Sequence, residues 1–426
     1  MKKFLTVLIL LLSFCILPLQ AEEDIAIGAE YAYVMDRETG QVLYEKNGEE
    51  KMYPASLTKM MSVILAIEKI RDTDRIVTIT GRMLAGLYEQ NASVVGYEIG
   101  DEVSVYDLLC GALLSSGADC VHALALQVDD SLDDFIERMN EKAAEIGMND
   151  THFTNATGLH DSEHYSTAKD MAILLNYCRQ NELFRQIAAL DVYRSAPAAS
   201  NPAGYAMQSW FRARMSVLGE IPGFEGGKTG FTGMAGYCMA SSAVYQGMDL
   251  SVVVCGSSVE GGRDALFWDV YHLYDHFFSS YERHDLLQEG ELLGMIPVYD
   301  TGKEMFQEIR AQQSYRIDLP QGSFDQEWEI PQELYAPLKK GEEIGHVSFY
   351  QNGKLLYEER YTLDTDLKLN RIARFERIHL LPHGFTFGKM VLTVFFALLM
   401  IFAAAVLALR QYNLKERKRR HTKRSR

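Results

Sequence analysis

No Cys-x-x-Cys pair occurs anywhere in the 426 residues, and nothing spaces His, Cys and acidic residues as zinc ligands. Those absences argue against a zinc ribbon, a dithiol redox centre or a metal site, so no metal and no cofactor are expected. An excess of positive charge is lacking too: the formal net charge is −16, and a dense basic cluster sits at the C-terminal end. So acidic a body does not bind polyanions non-specifically, which removes nucleic acid from the expected partners. No internal repeat or low-complexity tract stands out. Of six cysteines, Cys15 lies in the N-terminal apolar run, leaving Cys110, Cys120, Cys178, Cys238 and Cys255. An odd number cannot all pair within one chain. Most sit in apolar runs such as "SVVVCGSS", where buried free thiols are the expected state, although an exported chain has room for one bridge.

The two ends say where the protein works. "MKKFLTVLILLLSFCILPLQAEE" has two lysines, an apolar run and Ala21 before an acidic start, the pattern of a secretory signal over residues 1–21. An uncleaved anchor is the alternative, for which the run is short. Met390 to Leu409 carries no charge and spans about 30 Å as a helix, the thickness of a bilayer core. The tail "RQYNLKERKRRHTKRSR" (410–426) is crowded with Lys and Arg. By the positive-inside rule it stays in the cytoplasm, which places everything before the single-pass helix 390–409 outside the cell membrane.

Between the ends, residues 22–283 read as one large domain. "EYAYVMDRETGQVLYEKN" alternates apolar and polar residues around "DRETG", an antiparallel hairpin. "SLTKMMSVILAIEKI" is a helix too apolar for a surface position, and further helical patterns fill the middle of the domain. From Gly226, "GGKTGFTGMAGYCMASSAVYQGMDLSVVVCGSS" reads as three strands with tight turns, followed by the aromatic helix "RDALFWDVYHLYDHFFSSY". Strands at both ends of a helical middle predict an α+β fold, its antiparallel sheet flanked by helices. Residues 284–368 read as a small all-β domain, with a hairpin turning at Asn352-Gly353. Residues 369–389 form a connector mixing basic and apolar residues, suited to a membrane surface.

Chemistry enters with "PASLTKMM". Ser56 and Lys59 stand three apart at a helix start, compatible with a helix cap and a surface lysine or with a nucleophile and its base. A second Ser-x-x-Lys, Ser166 to Lys169 in "STAK", shows that the motif alone decides nothing. A serine hydroxyl needs a base, and a lysine serves only if burial or a second cation keeps it neutral. Spacing i to i+3 puts the two side chains on one helix face, and the apolar run behind Lys59 supplies desolvation. A second cation, Lys228, lies in "EGGKTGFT", where glycines beside a strand admit a close backbone such as a peptide laid along a sheet edge. Between the two comes "LLSSGADC", in which Ser116 heads a tight turn.

Ser-x-x-Lys, Ser-Gly-x and Lys-Thr-Gly in this order match the penicillin-interacting serine enzymes. With "THFTNATGLHD", "YSTAKDMAIL" and "APLKKGEEIG", the chain from about Glu30 to Asp364 resembles the D-alanyl-D-alanine carboxypeptidases, the low-molecular-mass penicillin-binding proteins. The resemblance implies a β-lactamase/transpeptidase-like sheet domain, a following β domain and a two-step acyl transfer on peptidoglycan stem peptides, with β-lactams as covalent inhibitors. By the same resemblance Ser56 attacks the carbonyl between two D-alanines, Lys59 is the base and Ser116 passes a proton to the leaving D-alanine. Lys228 keeps Lys59 neutral and, with Thr229 and Gly230, holds the substrate's carboxylate end. The N–H groups of Ser56 and Phe231 form the oxyanion hole. Arg263 meets the terminal carboxylate and Thr232 assists; their bland alternatives are a surface residue paired with Asp264 or Glu260, and a turn filler. Lys169 is expected to face solvent, and His152 and His160 to be structural or solvated.

One position departs from the pattern: Ala118 stands where the family usually has an asparagine that contacts substrate and lysines. Those groups are then left to water, to Asp119 or to another neighbour. An active enzyme with altered affinity is expected, and a weakly active or non-catalytic wall sensor or scaffold is the alternative. A β-lactamase is a further alternative, for which no glutamate loop positions a deacylating water.

Overall fold

The computed structural model describes residues 25–378 and 387–424. The signal-peptide reading of residues 1–21 lies outside the described residues. Two compact units emerge: the chain up to His284 together with Ile317–Gln321, and Asp285–Arg316 with the chain from Gly322 onward.

The first unit is built on a five-stranded antiparallel sheet. Its strands are β1 (Tyr31–Asp36), β2 (Val42–Lys46), β3 (Phe224–Thr232), β4 (Gly236–Tyr245) and β5 (Met248–Ser257), in the spatial order β2-β1-β5-β4-β3. The N-terminal hairpin and the three C-terminal strands thus meet in one sheet, the α+β arrangement expected from the sequence. The hairpin turn is closed by Asp36, whose Oδ1 accepts the N–H groups of Glu38 and Thr39 at 2.9 and 2.8 Å. Alternation sorts the strands' side chains onto two faces. Ala32, Val34, Met239, Val252 and Val254 pack with Phe267, Val270 and Tyr274 of a C-terminal helix, whereas Tyr33, Cys238, Ala240, Val253 and Cys255 join the core of the helical middle.

The helices that matter for the site are α1 (Lys59–Lys69), α2 (Val105–Leu114), α3 (Ala118–Val128), α4 (Ala168–Arg179), α5 (Trp210–Leu218) and α6 (Gly262–Ser280). Every residue of α1 from Lys59 to Ala66 is buried, so this helix is the spine of the domain rather than an amphipathic cover. A 3₁₀ turn, Ala55–Thr58, leads into it and packs against β3. Cys110, Cys120, Cys178, Cys238 and Cys255 are all buried and free, as expected.

The second unit is β-rich. Leu292–Tyr299 lies between Met305–Arg310 and Leu334–Tyr335, and Glu343–Gln351 lies between Asp325–Glu329 and Lys354–Thr362. The last hairpin turns at Asn352 and Gly353, with φ of 52° and 77°, the left-handed pair that a two-residue turn demands. Helix α7 (Arg371–Ile378) falls in the connector. Helix α8 (Phe387–Arg424) contains Gly388–Tyr412, a stretch of mean hydropathy 2.8 that is long and apolar enough to cross a membrane.

Candidate active site

Ser56 is not a helix cap. It sits inside the 3₁₀ turn, where no side-chain capping bond forms, and its Oγ lies 2.8 Å from Lys59 Nζ. The residue before it, Ala55, has φ +46°, a left-handed conformation that costs an L-residue energy and persists only where its surroundings impose it. Strand β3 helps impose it. A Cβ at Gly230 would lie 3.0 Å from the Ser56 nitrogen and 3.1 Å from the Ala55 Cβ, so a side chain there would press the nucleophile's turn away by a few tenths of an ångström and glycine suits this close approach. The Ser56 amide therefore faces β3 one residue before Phe231, whose side chain is exposed beside Tyr237 at a ring separation of 4.4 Å.

Lys59 is 3% exposed. Its Nζ has two oxygen neighbours, Ser56 Oγ and, at 2.6 Å, the backbone carbonyl of Thr157. Burial pushes its pKa down to about 7, opposed by the negative charge of Asp119. Lys228 is 1% exposed, donates to the Thr229 carbonyl at 2.8 Å, and is pushed well down by burial and then by the charge of Lys59. Two buried amines thus lie close enough to interact through their charges.

The third wall is the turn before α3. Ser116 has φ +58°, and its buried Oγ has no hydrogen-bond partner among the described residues. A buried, unsatisfied hydroxyl in a strained conformation is a group held ready for a ligand. Ala118 is buried, and its N–H donates to the Ser93 carbonyl at 2.7 Å. Asp119 does not replace the missing amide. Its carboxylate accepts the N–H groups of Val95, Gly96, Tyr97 and Cys120 at 2.9 to 3.3 Å, which commits it to pinning the 95–97 segment.

The outlying residues are less involved. Thr232 Oγ1 accepts the Ala235 N–H at 3.0 Å and so caps the β3–β4 turn. Arg263 stands exposed in the first turn of α6 with its guanidinium 5.1 Å from the Trp210 ring, and no ion pair engages it among the described residues. Its neighbour Asp264 takes Arg214 instead. Lys169 is half-exposed and pairs with Glu49, Thr167 caps its helix, and Ser166 is buried with its Oγ 2.7 Å from Thr151 Oγ1: the second Ser-x-x-Lys does not bring its serine and lysine together. His152 and His160 are exposed, the first bonded to the Glu163 carbonyl at 2.7 Å and the second packed on Tyr53.

Comparison with known proteins agrees with this geometry. A family model described as D-alanyl-D-alanine carboxypeptidase matches residues 19–259, more than half of the chain. The chain belongs to that family. A second model, the C-terminal domain of penicillin-binding protein 5, matches residues 281–369. D-alanyl-D-alanine carboxypeptidase DacF of Bacillus subtilis is 31% identical over 81% of this chain and 87% of its own length. DacA of Haemophilus influenzae is 30% identical over 77% and 82%. Among solved structures, penicillin-binding protein 5 from Haemophilus influenzae aligns with a TM-score of 0.62 at 27% identity, covering 80% of this chain and 98% of that one.

Within this family frame, two features went unassigned in the sequence. One is the Thr157 carbonyl on Lys59, invisible because a backbone oxygen has no letter. The other is His164, 2% exposed, whose Nδ1 accepts the Thr154 N–H at 3.0 Å and whose Nε2 therefore donates to Thr58 Oγ1 at 2.8 Å. Burial lowers its pKa to about 4, so it stays neutral and ties the 154 loop to the residue before Lys59.

Proposed function

We infer that this protein is a serine-type D-Ala-D-Ala carboxypeptidase that removes the terminal D-alanine from peptidoglycan stem peptides and binds penicillin covalently. The observation that carries the reading is the 2.8 Å contact between Ser56 Oγ and a buried Lys59 with pKa near 7, in a chain of this family. Neutral Lys59 takes the proton of Ser56, and Oγ attacks the carbonyl between the two D-alanines. The N–H groups of Ser56 and Phe231 receive the oxyanion, a role supported by the close approach of β3 at Gly230. Ser116, its hydroxyl otherwise unpartnered, hands a proton to the departing amine. Lys228 and Thr229 hold the substrate carboxylate on the open edge of the sheet, where β3 has a strand partner on one side only. Arg263, with no carboxylate partner, is the second cation offered to that carboxylate. Water then cleaves the ester on Ser56.

Gly388–Tyr412 anchors the protein in the cell membrane, with the catalytic unit on the extracytoplasmic side and the basic tail inside. The β domain at residues 284–368, which comes between the catalytic domain and that helix in the sequence, is read as a spacer. A β-lactamase or a non-catalytic wall scaffold is not favoured: the relatives are named carboxypeptidases, and nucleophile, buried amine and free hydroxyl are all in place.

The deciding experiment incubates detergent-solubilised full-length protein with penicillin and maps the adduct by mass spectrometry, alongside D-alanine release from a pentapeptide. A single adduct on Ser56, absent from Ser56→Ala, is expected. No adduct and no released D-alanine would sink the reading.

A further inference from the structure

We propose that Asn155 is a positioning residue that aims the base Lys59 by bracing the turn at residues 155–159; this rests on the reading of Ser56 and Lys59 given above. A neutral amine has two N–H bonds and one lone pair. Of the two oxygens beside Lys59 Nζ, the Thr157 carbonyl can only accept, so an N–H must point at it, 2.6 Å away. That bond fixes the amine's rotation and leaves the lone pair to the hydroxyl proton of Ser56 at 2.8 Å. Catalysis by a lysine base therefore depends on where the Thr157 carbonyl is held.

One side chain holds it. Asn155 Oδ1 accepts from Thr157 N and Oγ1, each at 3.1 Å, from Gly158 N at 2.7 Å and from Leu159 N at 3.1 Å. Its Nδ2 donates to the Leu159 carbonyl at 2.9 Å. The braced turn is also seated on the nucleophile's own turn. Gly158 has φ +77°, and a Cβ there would fall 1.8 Å from the Ala55 carbonyl oxygen. Asn155 itself touches neither Ser56 nor Lys59; it acts through the backbone it folds. A turn of the same shape without this side chain would leave the carbonyl free to tilt, and a misplacement of about 1 Å at a reacting centre costs on the order of a hundredfold in rate.

The titratable groups facing Lys59 are Asp119, Cys120 and His122 on α3, Lys228 on β3 and His164 on the 154–164 loop. Of these an Asn155 variant touches only His164, whose Nδ1 lies 3.4 Å from Asn155 Nδ2 and which burial keeps neutral above about pH 4, so a shift in the pH profile above that value reports the Thr157 bond. The test uses full-length protein, with labelled penicillin counting competent sites so that rates refer to folded enzyme. Asn155→Ala is expected to lower D-alanine release and acylation per site by roughly ten- to hundredfold with KM within about twofold. Its acid limb moves below that of the wild type, because a lost acceptor no longer favours the ammonium. Asn155→Asp keeps the Oδ1 contacts and adds a negative charge, so its limb moves up and its rate returns towards the wild type at alkaline pH. Per-site rates and limbs equal to the wild type in Asn155→Ala, with only thermal stability lowered, would overturn the proposal. If Asn155→Ala yields no competent sites, Asn155→Asp decides alone, and an unshifted limb in it counts against the proposal. A wild type that takes up no penicillin refutes the functional reading instead and takes this proposal with it.

Discussion

Lys59, on a buried helix, and Lys228, on an edge strand 169 positions further along the chain, lie close enough that the charge of Lys59 depresses the pKa of Lys228. Such coupling is reciprocal, so a proton on either amine disfavours a proton on the other. Asp119 lies on the side of Lys59 and raises its pKa, whereas burial and the charge of Lys59 both lower that of Lys228. A substrate carboxylate would favour protonation of the pair. Four predictions follow from this arrangement and its supports.

Lys59→Met is expected to reduce acylation by about two to four orders of magnitude, the usual worth of a general base. The same variant should raise the melting temperature by a few degrees, roughly, because it removes a buried amine. Stopped-flow acylation and calorimetry check the two halves, and a variant that loses both activity and stability would contradict the assigned cost of burying the amine.

The pH dependence has a definite sign. Activity needs neutral Lys59, so kcat/KM rises with pH and levels off above about 7. For stability, the pKa falls on folding from its ordinary 10.5, so between about 7 and 10.5 the unfolded chain binds more protons than the folded one. The penalty is therefore complete below pH 7 and is relieved as pH rises through that window. Urea titrations of wild type and Lys59→Met at pH 6.5 and 9 should show the gap between them narrowing at the higher value.

Ala118→Asn tests the departure in the second motif. One restored hydrogen bond is worth about 0.5–1.5 kcal/mol, so kcat/KM is expected to rise by up to roughly tenfold. Activity exists without it, since neither Ser56 nor Lys59 depends on position 118 for a hydrogen bond. An inactive wild type made active by this change alone would show that the chain had been a scaffold.

Gly158→Ala should fail for steric reasons. The new Cβ meets the Ala55 carbonyl at 1.8 Å in a left-handed conformation, a clash and a strain that together cost at least about 2 kcal/mol. Gly40→Ala is the control: it has φ +72° but nothing within 4 Å, so it bears only the conformational cost. Both unfolding midpoints and penicillin uptake should fall far more for the former. Equal effects in the two variants would mean that the loop and the nucleophile's turn are not in contact.

Local rules were enough for most of the architecture. Alternation in "YAYVMD" and "VLYEK", the apolar run behind Lys59, and Asn352-Gly353 each specify an element through short-range periodicity or turn chemistry, and each element is found. The two copies of Ser-x-x-Lys mark where local rules stop. Both sit at a helix start with the same spacing, yet Lys59 is buried beside its serine and Lys169 is bonded to Glu49 at the surface. The difference lies in what packs around them, not in the four letters.

What the chain's letters determined by themselves was the set of reactive groups, their spacing and the elements that carry them, because helix faces and strand alternation are decided within a few residues. Tertiary structure alone decided that a carbonyl 98 positions away would hold Lys59, that Asp119 would be spent on backbone N–H groups, and that the Ser116 hydroxyl would be left unpartnered. Those outcomes depend on backbone atoms and on desolvation, which come into being only when distant segments close around one another.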